Sequence, residues 1–176
     1  MRVITFSGSA QHGKSLSGEI FKEKMEINGK SVLIINYADY LKFIAKQYLE
    51  WNGKKDETGR TLLQWLGTNF VRSRYPTFWV DIVCNFIKVF VDQYDYFCIC
   101  DARFPDEVTI MKENFDTLSV HVTRLNFDSG LTEAQKNHPS EKALDGYAFD
   151  WEVVSETGKE NLALELDKFI EHYKLL

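Results

Sequence analysis

The run Gly8-Ser9-Ala10-Gln11-His12-Gly13-Lys14-Ser15 restricts the fold of this chain more than any other feature. It has the spacing G-x-x-x-x-G-K-[ST], and its surroundings fit. Arg2 to Phe6 alternates and is β-rich, which predicts a strand. From Gly13 to about Ile27 the pattern is helical, with Leu16, Ile20, Phe21, Met25 and Ile27 on one apolar stripe. A strand, a glycine-punctuated turn and a helix start give a backbone that wraps a phosphate with its N–H groups, at the positive end of the helix. Lys14 then reaches the β- and γ-phosphates, and the Ser15 hydroxyl is placed to ligate Mg²⁺. The expected ATP contacts are Gly8, Ala10, Gln11, His12, Gly13, Lys14, Ser15 and Leu16. His12 fills a variable position of the loop and receives no catalytic role.

The rest of the chain continues the strand–helix alternation. Ser31 to Asn36 is a nearly continuous apolar run, as expected for a strand covered on both faces. Helices are predicted at Asp39–Trp51, Thr61–Val71 and Phe78–Val91, with a polar loop over Asn52–Gly59. Strands are predicted at Tyr96–Cys100, Leu118–Arg124 and Trp151–Val154, and helices from Pro105 to about Asn114 and from about Lys159 to Tyr173. The pattern β-α-β, helical insert, β-α-β, polar insert, β-α predicts an α/β fold with a mostly parallel sheet of five strands and right-handed crossovers. Joined to the phosphate loop, this is a P-loop NTPase fold of three layers, α/β/α. One domain over residues 1–176 is expected, with a helical acceptor-binding insert at 37–95 and a lid at 125–145. The polar stretch is longer than ordinary connections, which is the mark of a lid.

Composition removes several alternatives. A net charge of −5 does not suit a nucleic-acid polymer, which needs a basic face, but a few local cations suffice for a small anion. No stretch approaches the ~20 apolar residues of a membrane span. Cys84, Cys98 and Cys100 read as buried small residues, and with no signal peptide visible they point to a reducing, cytoplasmic setting.

A phosphate loop also requires an acid on a neighbouring strand end, to hold Mg²⁺ or its water shell. Asp101, after Tyr96-Phe97-Cys98-Ile99-Cys100, is the candidate. Arg103 follows at the strand end where ligands bind in open α/β sheets, and a guanidinium suits bidentate phosphate recognition. Glu107, one turn into the next helix, either orients Arg103 or favours the helix dipole. Arg60, Gln64 and Thr68 recur at four-residue spacing and share a helix face.

Together these blocks resemble the bacteriophage deoxynucleoside monophosphate kinases, within the wider P-loop nucleoside monophosphate kinases. The resemblance rests on Gly8–Ser15, Tyr37-Ala38-Asp39-Tyr40-Leu41-Lys42, the run from Gly59 to Thr68, and Phe78-Trp79-Val80-Asp81. It continues through Asp101 to Glu107, His138-Pro139-Ser140-Glu141 and Leu144-Asp145. It implies ATP- and Mg²⁺-dependent conversion of deoxynucleoside monophosphates to diphosphates. On that reading Asp39 and Lys42 stand at the mouth of the acceptor site, and Gln64 and Thr68 meet the base. Arg60, Arg72, Arg103 and Glu107 serve the acceptor phosphate, and Trp79 stacks on the base or closes the pocket. Trp65 and Phe78 are offered the same choice, with hydrophobic core as the alternative for all three aromatics. Tyr37, Tyr40 or Trp79 fills the ribose 2′ position.

The family's lids commonly carry arginines, yet Leu125 to Glu141 contains only Lys136 as a strong base. Arg124, at the base of the lid, is therefore the expected substitute, beside Lys14, Arg103 and Asp101 as catalytic residues. Glu141 belongs to the lid's end motif. Two other readings stay open from sequence. One is a kinase of a different phosphorylated acceptor, since animal phosphomevalonate kinases look similar around the loop and the late Ser-Glu segment. The other is an NTP-binding switch or a non-enzymatic nucleotide-binding subunit. The aromatic-rich middle segment (Trp65, Phe70, Tyr75, Phe78, Trp79, Phe86, Phe90) reads as core or as the face of a homodimer.

Overall fold

The computed structural model describes residues 1–54 and 56–176. Its centre is a five-stranded sheet in the order β2-β3-β1-β4-β5. The strands are β1 (Arg2–Ser7), β2 (Val32–Ile34), β3 (Tyr96–Ala102), β4 (Thr117–Arg124) and β5 (Trp151–Ser155), and every pairing is parallel. The expected sheet is thus present and wholly parallel.

The alternation of side chains along each strand creates two cores. On β3, Tyr96, Cys98 and Cys100 face a cluster with Phe21 and Met25 of α1 (Lys14–Ile27) and Leu166 and Phe169 of α8 (Lys159–His172). Phe97 and Ile99 face the opposite cluster, with Val80, Val83 and Ile87 of α4 (Phe78–Phe90) and Val108 and Met111 of α5 (Pro105–Asn114). Burial on both faces explains why the strands read as continuous apolar runs. The three cysteines are free and buried, and burial pushes the Cys100 thiol up to about 12.

Between β2 and β3 lie α2 (Tyr37–Tyr48), α3 (Glu57–Gln64), a π-helical segment (Trp65–Arg72) and α4. Helix α2 begins before Asp39, because Asn36 is its N-cap. The Asp39 carboxylate sits at the third helical position and accepts the Asn36 backbone N–H at 3.0 Å. The loop expected over Asn52–Gly59 includes Lys55, which lies outside the described residues. Its end is already helical, since Asp56 caps α3 by accepting the Gly59 N–H at 2.9 Å. The single helix expected over Thr61–Val71 is an α-helix only to Gln64. Between β4 and β5 the polar insert carries two one-turn helices, α6 (Glu133–Lys136) and α7 (Pro139–Lys142). No helix among the described residues is long and apolar enough to cross a membrane.

Candidate active site

The turn from β1 into α1 is built by backbone conformation. Gly8 has φ 135° and lies so close to β4 that a Cβ there would stand 2.3 Å from the Val122 carbonyl oxygen. Gln11 (φ 64°) and Gly13 (φ 103°) both take the left-handed conformation, which turns the chain into the helix. The first-turn amides of α1 have no intrahelical partner by construction, and no side chain caps them. Lys14 is buried, and its ammonium donates to the carbonyls of Gly8 (2.8 Å) and Ser9 (2.7 Å), which fixes it along the loop. His12 packs against the end of β4 and Phe127. Its Nδ1 accepts the Arg124 backbone N–H at 3.1 Å, and burial with the nearby Lys14 charge lowers its pKa.

A cavity of about 410 Å³ starts at this loop and runs to the helical insert. Ala10, Gln11, Lys14 and Ser15 line one end. Arg60, Gln64, Thr68, Arg72 and Trp79 line the other, and Asp101, Arg103 and Glu107 stand between them. Lys14 and Arg103 therefore open onto one cleft.

The far wall depends on the change of helix type. In an α-helix, side chains four apart drift by roughly 40° per step, so four such residues would wind off one face. A π-turn is wider, and a four-residue step falls short of a full turn. The drift of the α-helical step from Arg60 to Gln64 is thus reversed over Thr68 and Arg72, and all four line the cleft.

Glu107 organises the middle of the site. It is 3% exposed, and one carboxylate oxygen accepts the backbone N–H groups of Arg103 (2.7 Å) and Phe104 (3.1 Å). The other accepts Arg72 Nη1 at 3.1 Å. Arg72 also pairs with Asp106 and stacks on Phe104, 3.8 Å from the ring centre. Burial pushes the Glu107 carboxyl up to about 8, against the opposing pull of these donors. Asp101 is similarly committed. Its two oxygens accept the N–H groups of Tyr37 and Ala38, each at 3.0 Å, so it caps α2 from β3. Burial raises its pKa although those amides lower it.

The polar insert between β4 and β5 folds onto the loop. Gln11 Nε2 donates to the Ser129 carbonyl at 2.9 Å, and Glu141 Oε2 accepts the Ala10 N–H at 3.1 Å. Glu141 Oε1 pairs with Arg103 Nη1, which also donates to the Ser140 carbonyl at 3.2 Å.

Several expected contacts are not in the cleft lining. Arg124 lies over Phe127, 3.9 Å from the ring centre, and its Nε donates to Thr157 Oγ1 at 3.0 Å, so it turns away from the cleft. Lys136 pairs with Glu133 at 3.2 Å. Asp39 is the capping residue described above and holds Lys42 at 2.9 Å, while Lys42 itself lines the cleft. Gly8, His12, Gly13 and Leu16 shape or flank the loop without lining the cavity. Trp79 lines it, but its indole N–H is taken by the Gly67 carbonyl at 3.0 Å. Trp65 is half-exposed against Phe70, and Tyr40 is stacked on Phe43 at the surface, and neither lines the cleft. Asn36, Leu131 and Gln135 line the cleft and were missed from sequence, and Ser140, named there only as part of the end motif, lines it too. Asn36 alone had a local signal, as a capping residue followed three positions later by Asp39.

A family model described as deoxynucleotide monophosphate kinase matches residues 5–164. No curated protein matches the chain. Among solved structures it is similar to the Mycobacterium tuberculosis APS kinase CysC in complex with AMPPNP and APS. The TM-score there is 0.57 at 11% identity, covering 97% of each chain. A cysteine-to-alanine mutant of that kinase gives a TM-score of 0.55 at 10% identity, covering 97% of this chain and 96% of the other. At these identities the likeness is one of fold.

Proposed function

Since the chain belongs to the deoxynucleotide monophosphate kinase family, we propose that the cleft from Lys14 to Thr68 takes both of its substrates end to end. The protein is an ATP-dependent kinase acting on a deoxynucleoside monophosphate. The observation that carries the site assignment is the shared cavity, with a phosphate loop at one end and cationic and amide side chains at the other. In this reading the loop from Ala10 to Ser15 holds the triphosphate of ATP, and Lys14 neutralises its outer phosphates. Arg103 and Arg60 clamp the acceptor phosphate. Gln64 and Thr68 meet the base edge, and Trp79 forms an apolar wall. Lys42 stands at the rim. Arg72 and Glu107 hold the wall and the Arg103 backbone in place, which is a positioning role. Residues 37–95 act as the acceptor insert and 125–145 as the lid.

Mg²⁺ fits this donor set. The exposed Ser15 hydroxyl lines the cleft beside the loop, and Mg²⁺ needs few protein ligands where phosphates and water supply the rest. Asp101 would act only on the water shell, because both oxygens already cap α2. When bound, the ion neutralises charge on the β- and γ-phosphates.

Transfer needs no strong general base, since the acceptor phosphate is already an anion. An acceptor oxygen bonds to the γ-phosphorus in line as the bond to the β,γ-bridging oxygen breaks. The products are the deoxynucleoside diphosphate and ADP. The chain's own contribution is positioning and charge neutralisation. A coupled assay of ADP release with ATP and each dNMP, each NMP and phosphomevalonate tests the assignment. Release that depends on dNMPs is expected, and hydrolysis indifferent to every monophosphate would refute it. Exposed Phe86, Phe90, Trp65 and Phe70 support a homodimer, which sedimentation would report.

A further inference from the structure

One carboxylate joins the two phosphate sites. Glu141, on the one-turn helix α7 of the lid, has a side chain only 10% exposed. Its Oε2 takes the Ala10 amide of the phosphate loop at 3.1 Å, and its Oε1 takes Arg103 Nη1. An N–H group and a guanidinium are the donors that recognise a phosphate oxygen, and a carboxylate is recognised by the same pair. Among the described residues, no other acid of the insert contacts both.

We propose that Glu141 is a placeholder for substrate phosphate. Its carboxylate keeps the loop amide and Arg103 satisfied in the resting cleft, and it must leave when a phosphate oxygen claims them. The inference rests on the reading above that Arg103 clamps the acceptor phosphate. A phosphate oxygen competes with the carboxylate for the Ala10 N–H and Arg103 Nη1, and two anions at that separation repel each other in a partly buried site. Binding therefore carries an electrostatic cost that ends when α7 shifts. The helix is tied to the far wall only lightly, by His138 Nε2 against Asn69 Oδ1 of the π segment at 3.3 Å. A second lid residue fits the same picture. Gln135 lines the cleft and is 7% exposed; its Oε1 accepts the Thr132 N–H at 3.3 Å, while its Nε2 has no partner among the described residues. A buried donor left unmatched marks an arrangement that a further acceptor would complete. Glu141 thus sets affinity: the substrate has to outcompete a tethered anion.

Isothermal titration of a dNMP, and separately of tripolyphosphate, into wild type, Glu141→Gln, Glu141→Ala and Arg103→Ala tests this. Removing the charge is expected to tighten dNMP and tripolyphosphate binding by about tenfold, the scale of a charge-assisted hydrogen bond. A merely structural role for Glu141 would weaken binding instead. The alanine variant carries the same expectation, so a folding failure of one leaves the other decisive. Unchanged or weaker binding in the folded variants, with dNMP affinity lost in Arg103→Ala, would overturn the placeholder and keep the clamp. Unchanged dNMP affinity in Arg103→Ala would overturn the clamp itself.

Discussion

The two ends of the cleft are built by different means. The loop end, to which we assign the donor, is a backbone device, shaped by Gly8, Gln11 and Gly13 at positive φ and by the start of α1, with Lys14 laid along it. The insert end, to which we assign the acceptor, is a side-chain device, in which Glu107 holds Arg72 and the Arg103 backbone while a π segment aligns Gln64, Thr68 and Arg72. A backbone cradle recognises any polyphosphate and depends on conformation. A side-chain wall can discriminate between acceptors, and it depends on buried charges staying matched.

The largest expected effect separates the ends directly. Lys14→Ala should lower kcat by about 10²–10³-fold, as for loss of one charge-stabilising donor, with little change in the dNMP KM. Arg103→Ala should act mainly through the dNMP KM. Steady-state kinetics with each substrate varied in turn reads this. Should Lys14→Ala raise only the dNMP KM, the assignment of the ends would be reversed.

This contrast also explains what the sequence made legible. The donor end is a contiguous run whose spacing encodes its own geometry, so Gly8 to Ser15 could be read at once, as could the strands buried on both faces. The acceptor end is assembled from distant segments. That Asp101 would spend both oxygens on α2 depends on β2 and β3 being neighbours, which no local pattern states. The outward turn of Arg124 depends on Phe127 and Thr157. The four-residue spacing of Arg60, Gln64 and Thr68 was visible, but the π geometry that keeps Arg72 in line with them was not. Leu131, Gln135 and Ser140 reach the cleft only because the polar insert folds back onto the loop.

A second test addresses the buried charge that the acceptor end depends on. Glu107 has its pKa raised in the fold from 4.5 to about 8. The folded state therefore holds a proton that the unfolded chain has released between those values. Stability should fall as pH rises through that window, with a slope from this group of at most about 1.4 kcal/mol per pH unit. Glu107→Gln removes the titration. Subtracting its urea-unfolding free energies from those of wild type at several pH values isolates the slope, because Asp95 and Asp150, whose pKa values are lowered, act alike in both proteins. A flat difference would mean that Arg72 and the two amides keep Glu107 ionised throughout. At the loop end, the Lys14 ammonium donates to the Gly8 and Ser9 carbonyls.

The smallest effect sharpens the comparison most, because it asks whether the side-chain wall reads the base. Thr68 lines the cleft from the π segment, and its backbone carbonyl already accepts the Ser73 N–H at 3.1 Å. Thr68→Val keeps the shape and that backbone contact and removes only the hydroxyl. One neutral hydrogen bond is worth about 0.5–1.5 kcal/mol, so the KM for an acceptor that uses the hydroxyl should rise roughly 2–10-fold. The KM for ATP should not move, and neither should the Tm. Acceptors whose base edge does not engage Thr68 should be unaffected, so the variant would redistribute preference among the dNMPs. An equal rise for all of them would assign Thr68 to the sugar or phosphate, which they share. A change confined to ATP would place the hydroxyl at the donor end and dissolve the distinction between the two walls.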